Sequence, residues 1–190
     1  IIMNSFYGVL GSSGCRFFDT RLASSITMRG HEIMKQTKVL IEDKGYQVIY
    51  GDTDSTFVSL NGSYDQEQAD EIGHKLVAYI NNWWTEHLKE TYNLASILEL
   101  EYETHYRKFL MPTIRGSETG SKKRYAGLIN QGDQEKIIFK GLESARTDWT
   151  PLAQQFQQTL YEMVFHDQDP TDYARQFVDE TSAGKHDDLL

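Results

Sequence analysis

Cysteine is nearly missing from this sequence: Cys15 is the single one among 190 residues. A lone cysteine cannot make an internal disulfide. That excludes a disulfide-stapled secreted domain and makes a reducing, cytoplasmic-type compartment the default. With no histidine or acid pattern beside it, Cys15 is expected to be a buried small hydrophobe rather than a nucleophile. Long apolar runs are missing too, none nearing the roughly 18 residues of a spanning helix, so no membrane partner is expected. No secretory leader is evident, and Ile1-Ile2-Met3-Asn4 reads as the interior of a longer protein, as does the abrupt stop at residues 184–190. Positive charge is scarce: 19 Lys and Arg face 28 Asp and Glu, for a net charge of −9. Taken alone that argues against nucleic acid, because phosphate affinity comes from Lys and Arg. The six histidines (His31, His74, His87, His105, His166 and His186) show no spacing that suggests zinc, and no role is assigned to them.

What is present is an ordinary globular composition, 39% hydrophobic and 25% charged, long enough for one domain or one domain and part of another. Distribution of charge matters more than its sum. Basic residues gather at Arg107-Lys108, Arg115, Lys122-Lys123-Arg124 and along 136–140. Acidic ones gather at 65–71, 99–103 and 167–172.

Helical spacing of Leu22, Ile26, Ile33, Thr37, Leu40 and Ile41 predicts a long helix over about 20–44, capped by Asp19 or Thr20 and ended at Gly45. Two β-prone runs, 46–50 and 55–60, then flank Gly51-Asp52-Thr53-Asp54, which is a hairpin signal. A second long helix is expected over 65–92, with Trp83 and Trp84 near Ile80 and Leu88. At that spacing at least one tryptophan belongs to the core, although exposed tryptophans also serve as stacking platforms for bases. Strict alternation in Leu98-Glu99-Leu100-Glu101-Tyr102-Glu103 predicts a strand with one acidic face. Further strands are expected at 109–111, 124–129 and 136–139, and amphipathic helices after Pro151 and over about 172–181. A boundary falls near 141–149.

The segment Tyr50-Gly51-Asp52-Thr53-Asp54-Ser55 carries the strongest chemical signal. Nucleotidyl transfer needs hard oxygen ligands for Mg²⁺, usually one or two carboxylates plus substrate phosphates. Two aspartates two residues apart can project to one side of an extended backbone. Left without a cation they would repel and raise each other's pKa. A plain turn is the competing reading, since Asp and Gly favour turns for conformational reasons alone. For an isolated Gly-Asp-x-Asp the turn is the better account.

The segment is not isolated. Asn4-Ser5-Phe6-Tyr7-Gly8 stands upstream of it and Lys122-Lys123-Arg124-Tyr125 downstream. With these three in this order the sequence resembles the family-B DNA polymerases, bacterial members above all. Residues 98–103, Gly141-Leu142-Glu143 and Arg146-Thr147-Asp148-Trp149 extend the likeness, which weakens after about 167. The resemblance implies that Asp54 ligates catalytic metal, with Asp52 as its neighbouring ligand beside the primer end and Thr53 and Ser55 as minor participants. It implies that Asn4, Tyr7 and Gly8 close the fingers helix over the nascent base pair. It implies that Lys123 and Tyr125, with Arg124, contact the primer terminus in the minor groove, where a donor tests pair geometry without reading sequence. Lys140 and Arg146 would touch the duplex backbone, positioning without specifying. Glu101 is a further metal candidate, and a solvated strand face explains it at least as well.

The same resemblance implies an α+β fold: an antiparallel palm sheet carrying the Asp52/Asp54 hairpin, long helices against one face, then helical thumb elements. Residues 1–19 would end the fingers, 20–140 form the palm and 141–190 begin the thumb. Two Mg²⁺ ions, primer-template DNA, deoxynucleoside triphosphates and, through the full-length protein, a sliding clamp are the implied cofactor and partners. Replication or damage-linked repair in the cytoplasm of a bacterium, near the nucleoid, is the implied setting. The family's triphosphate-holding cation, its first-motif aspartate and any proofreading domain are not in these residues, so the fragment alone is expected to be inert. Two rivals remain. One is a metal-dependent glycosyl or cyclase-type transferase using Asp-x-Asp, which would need neither Lys123-x-Tyr125 nor Asn4 to Gly8. The other is a non-catalytic, polymerase-like DNA-binding module.

Overall fold

A computed structural model describes residues 2–52, 54–112, 123–132 and 134–190, the side chains of 2–5 and 52 excepted. The chain divides into two compact units, Ile1–Tyr102 and Glu103–Leu190. Both mix helices with a small antiparallel sheet, so the class is α+β.

In the first unit, α1 (Ile2–Leu10) precedes α2 (Thr20–Glu42), which starts where Asp19 accepts a 2.9 Å bond from the Arg21 backbone N–H. The chain leaves α2 through Gly45, whose φ of +87° suits glycine. The strands β1 (Gln47–Asp52) and β2 (Ser55–Ser59) pair antiparallel, with an irregularity between Val48 and Tyr50. Next, α3 (Gln66–Tyr92) begins in a reciprocal capping box, the Asp65 side chain accepting from Gln68 N–H and the Gln68 side chain from Asp65 N–H. Leu40, Ile41, Ile80 and Trp84 are buried between these elements, with Val48 and Val58 packed against them. Trp84 is therefore core, while Trp83 stacks on His87 with centroids 4.6 Å apart. Only the C-terminal half of the α2 stripe is covered; Leu22 and Ile26 remain 48% and 49% exposed.

The expected strand at 98–103 is not one. Its alternation is real, since Leu98, Leu100 and Tyr102 are half-buried while Glu99, Glu101 and Glu103 are exposed. Its backbone partner, however, is a side chain. Leu100 N–H donates to Asn81 Oδ1 at 2.8 Å and Asn81 Nδ2 donates to the Leu100 carbonyl at 2.9 Å, so α3 rather than a neighbouring strand holds the segment. Tyr102 then donates to Asp70 at 2.6 Å. Cys15 also departs from expectation, being half-buried in a loop where its Sγ accepts from Phe17 N–H.

In the second unit β3 (Lys108–Leu110), β4 (Tyr125–Gln131) and β5 (Gln134–Lys140) form an antiparallel sheet in that order. The hairpin of the first unit thus has its own two-stranded sheet among the described residues, instead of sharing one continuous sheet. A 3₁₀ turn (Glu143–Ala145) leads to α4 (Pro151–Phe165), which opens with proline at its first turn and Thr150 as cap. Then comes α5 (Thr171–Ser182). Ala126, Leu128, Leu142, Tyr161 and Phe165 form the buried core where α4 lies on the sheet. Phe156 of α4 stacks on Tyr173 and meets Phe177, which docks α5.

Candidate functional site

The hairpin places its acidic pair at a tight bend. In the strand register Asp52 lies opposite Ser55 and Gly51 opposite Thr56, so Asp54 stands at the tip. The Asp54 carboxylate is exposed and, among the described residues, accepts a long, 3.4 Å bond from the Ser55 hydroxyl. The Asp52 backbone belongs to β1; its side chain and all of Thr53 lie outside the described residues. Below the tip, Tyr50 and Phe57 pack ring to ring at 5.4 Å. Met34 of α2 lies 3.5 Å from where a Cβ on Gly51 would sit, so α2 buttresses the hairpin from behind. The bend thus offers open, hard oxygen donors on a supported backbone, which suits Mg²⁺, an ion that keeps several of its waters. Among the described residues no group of three or more His, Cys, Asp or Glu is gathered to hold a metal.

On α1, the Tyr7 hydroxyl donates at 2.7 Å to Thr27, which itself donates to the Ala23 carbonyl, tying α1 to α2. Nothing lies within 4 Å of a Cβ built on Gly8. The Asn4 side chain is outside the described residues. Glu101 is exposed on the segment that Asn81 holds, and its face is solvated.

In the second unit the start of β4 and the end of β5 bring a set of cations to one corner. Tyr125 pairs with Lys140 in the register. Lys123 has φ +66°, a left-handed conformation that a lysine rarely adopts. Gly141, at φ +62°, lies so close that a Cβ there would stand 2.0 Å from the Lys123 carbonyl oxygen. Arg124 Nη1 donates to Glu143 Oε1 at 3.1 Å, and Gln157 of α4 donates to Glu143 Oε2 at 2.6 Å. The Gln157 bond above all, then a bond from Glu143's own backbone N–H and last the nearby Arg124 and Arg146 charges, hold the Glu143 carboxyl below the usual range against the opposing effect of burial. Arg146 is clamped by Asp148 through two bonds of 2.8 and 2.5 Å, which lowers the Asp148 pKa. Beside Tyr125, the Tyr106 phenol is pushed up to about 12, mainly by burial and then by Tyr125 itself. Lys122 lies outside the described residues.

Glu143, Gln157 and Gly141 were not signalled as site residues by spacing alone. Gly141-Leu142-Glu143 stood out only as part of a family likeness. The pairing of Arg124 with Glu143 spans 19 residues and has no local pattern.

The family model for DNA polymerase family B matches residues 1–190. The chain belongs to DNA polymerase family B. This family-B chain is 63% identical over 190 residues to DNA polymerase II of Escherichia coli (strain K12), covering all of the chain and 24% of that protein. It is 31% identical over 164 residues to DNA polymerase 1 of Pyrococcus abyssi (strain GE5 / Orsay), 86% of the chain and 18% of that protein. Against the DNA polymerase alpha catalytic subunit of Mus musculus it is 30% identical over 170 residues, 87% of the chain and 10% of that protein. The chain therefore spans a quarter or less of these relatives, and both of its units lie within the family match. The family membership read from the three ordered motifs is borne out.

Proposed function

We propose that this chain supplies the metal-binding hairpin and the primer-facing corner of a DNA-directed DNA polymerase that extends a primer 3′ end with deoxynucleotides. The observation that carries the reading is the open Asp54 carboxylate at the tip of a buttressed antiparallel hairpin, within a chain that matches the family over its full extent. Residues 1–19 are assigned to the end of the fingers, 20–140 to the palm and 141–190 to the start of the thumb. Asp54 and Asp52 would hold Mg²⁺, and two bound ions supply Lewis-acid activation and charge neutralisation for an in-line displacement. Thr53 and Ser55 are assigned as minor participants, and Glu101 is a secondary carboxylate candidate.

The chain's own side chains do the positioning. Lys123 and Tyr125 present a donor and a flat ring to the minor groove of the primer terminus, where correct pairs look alike. Arg124, Lys140 and Arg146 stand at the same corner for phosphate contacts, which set register without specifying sequence. A guanidinium has five donors, so one carboxylate partner leaves others for DNA. Tyr7, with Asn4 and Gly8, faces the nascent base pair, and its bond to Thr27 fixes the phenol from behind. The setting is DNA replication or repair in a bacterial cytoplasm, with a sliding clamp engaged through the complete protein. The 190-residue chain alone is inert, because the resemblance assigns a further metal-binding aspartate and a triphosphate-holding cation to residues outside it.

Primer extension with Mg²⁺ and four deoxynucleotides tests this in three proteins: the chain, the full-length polymerase carrying it, and that polymerase with Asp54→Ala. Extension by the full-length protein, lost in Asp54→Ala and absent in the chain, is expected. Full activity in Asp54→Ala would remove the metal assignment and restore the structural turn. Robust extension by the chain alone would show that its own carboxylates complete the site.

A further inference from the structure

Four observations converge on the backbone just behind the Lys123-Arg124-Tyr125 corner. Lys123 is held in a left-handed conformation, φ +66°, which costs a non-glycine residue energy and persists only where the surroundings over-determine it. Gly141 is packed against the Lys123 carbonyl so closely that no side chain fits between them. Glu143, with its side chain only 17% exposed, bonds Arg124 with one oxygen and Gln157 with the other. Gln157 then accepts a 2.7 Å bond from the backbone N–H of Ser144 through its own carbonyl, closing a ring between the 3₁₀ turn and α4.

We propose that Glu143 is a positioning residue: through Arg124 on one side and Gln157 on the other, it locks the primer-contacting Lys123-Arg124-Tyr125 element to the first turns of α4. A movement of α4 is thereby transmitted to the corner that meets the primer terminus. This inference rests on the reading of that corner as primer-facing.

An isolated surface ion pair would contribute little. This one differs because both carboxylate oxygens are engaged by separate elements and the carboxylate is mostly shielded, the conditions under which charge-assisted bonds are strong and geometrically selective. Arg124 itself is 43% exposed, so the effect on binding is a moderate one.

The test uses the full-length polymerase carrying this chain and reads primer-template KM, kcat and melting temperature. Glu143→Gln is expected to raise the primer-template KM about fivefold, as loss of one charge-assisted bond at a half-exposed guanidinium implies, with kcat and melting temperature nearly unchanged. Glu143→Asp, which keeps the charge, is expected to raise KM less than the isosteric Glu143→Gln, which a purely steric defect would not allow. Gln157→Leu tests the same link from the helix side and serves if the Glu143 variants fold poorly; it too should raise KM with kcat held. Lys123→Ala and Tyr125→Phe form the reference arm. If they weaken primer binding while Glu143→Gln and Gln157→Leu do not, the inference is wrong and the primer-facing corner stands. If Lys123→Ala and Tyr125→Phe bind primer normally, the reading of the corner fails and the inference falls with it.

Discussion

Replacing Gly141 with alanine separates two costs that usually arrive together. Gly141 and Gly132 share the left-handed backbone, at φ +62° and +64°. At Gly132 a Cβ meets nothing within 4 Å, whereas at Gly141 it would stand 2.0 Å from the Lys123 carbonyl oxygen, about 1 Å inside the closest approach that Cβ atoms make. Gly132→Ala therefore bears only the conformational penalty, roughly 1–2 kcal/mol. Gly141→Ala bears that penalty and must also push a backbone carbonyl away beside the Tyr125–Lys140 pair, at the expense of roughly one further hydrogen bond of about 1 kcal/mol and some strain. The sum is about 2–4 kcal/mol for Gly141→Ala. Hydrogen exchange by mass spectrometry over 123–140 reads the difference locally, because it reports opening of this ladder rather than of the first unit. Protection in β4 and β5 should fall markedly more in Gly141→Ala than in Gly132→Ala. Equal losses in the two variants would refute the close approach, and with it the claim that Gly141 dictates the path of Lys123.

Leu128→Ala removes a side chain only 1% exposed at the centre of the second core and should cost about 2–4 kcal/mol by urea denaturation; a cost under 1 kcal/mol would mean that the sheet-to-α4 core is mispacked. Asn81→Ala deletes both bonds to the Leu100 backbone and should cost about 1–3 kcal/mol, with exchange protection of Leu100 lost, since a shielded N–H is left without its partner; unchanged protection there would require another acceptor. The His166 pKa lies above its ordinary 6.5 because its ring bonds the Glu162 carbonyl and then the Glu135 carboxylate, while Glu135 is held below its ordinary 4.5 by His166 first and Arg107 next. The pair's stabilising contribution is thus complete below 6.5 on the histidine side, fades as pH rises through the raised His166 value, and fades again as pH falls through the lowered Glu135 value. An NMR titration should place His166 above 6.5 and Glu135→Gln should move it down; a midpoint at or under 6.5 in the unsubstituted protein would contradict the geometry.

Much of the fold was legible because local rules and tertiary packing agree. Asp19 marks the start of the first long helix, Gly45 its exit and Pro151 the start of a later one, and each does so in the structure. The hairpin was equally plain, since two β-prone runs flank a bend of Gly and Asp. Residues 98–103 show the limit. A period of two reports which side chains face inward, yet it cannot say whether the backbone bonds a strand or the side chain of Asn81. Glu143 shows another. Its partners Arg124 and Gln157 lie 19 and 14 residues away, and only folding brings them together. Leu22 and Ile26 sit on the correct helical stripe but stay exposed, because a stripe states what a helix can bury and not how far its neighbours reach.

The net charge of −9 becomes compatible with a polyanionic ligand once the location of the carboxylates is taken into account. Arg124 is oriented by Glu143 and Arg146 by Asp148. Such pairing weakens long-range attraction to phosphate, which depends on uncompensated cations. It also fixes long side chains that would otherwise lose on the order of 2 kcal/mol of rotamer freedom each on binding. On the proposed reading, a corner built this way would attract a random duplex less than bare arginines do and would meet a correctly seated primer terminus with its donors already aimed. On the proposed reading, the acidic excess works for discrimination rather than against affinity. A polymerase must release and re-engage DNA of every sequence while responding to the geometry of one base pair, and phosphate contacts alone carry no information about that pair. On that same proposed reading, the strained Lys123 backbone, backed by Gly141 and Glu143, would be where that response to geometry is concentrated.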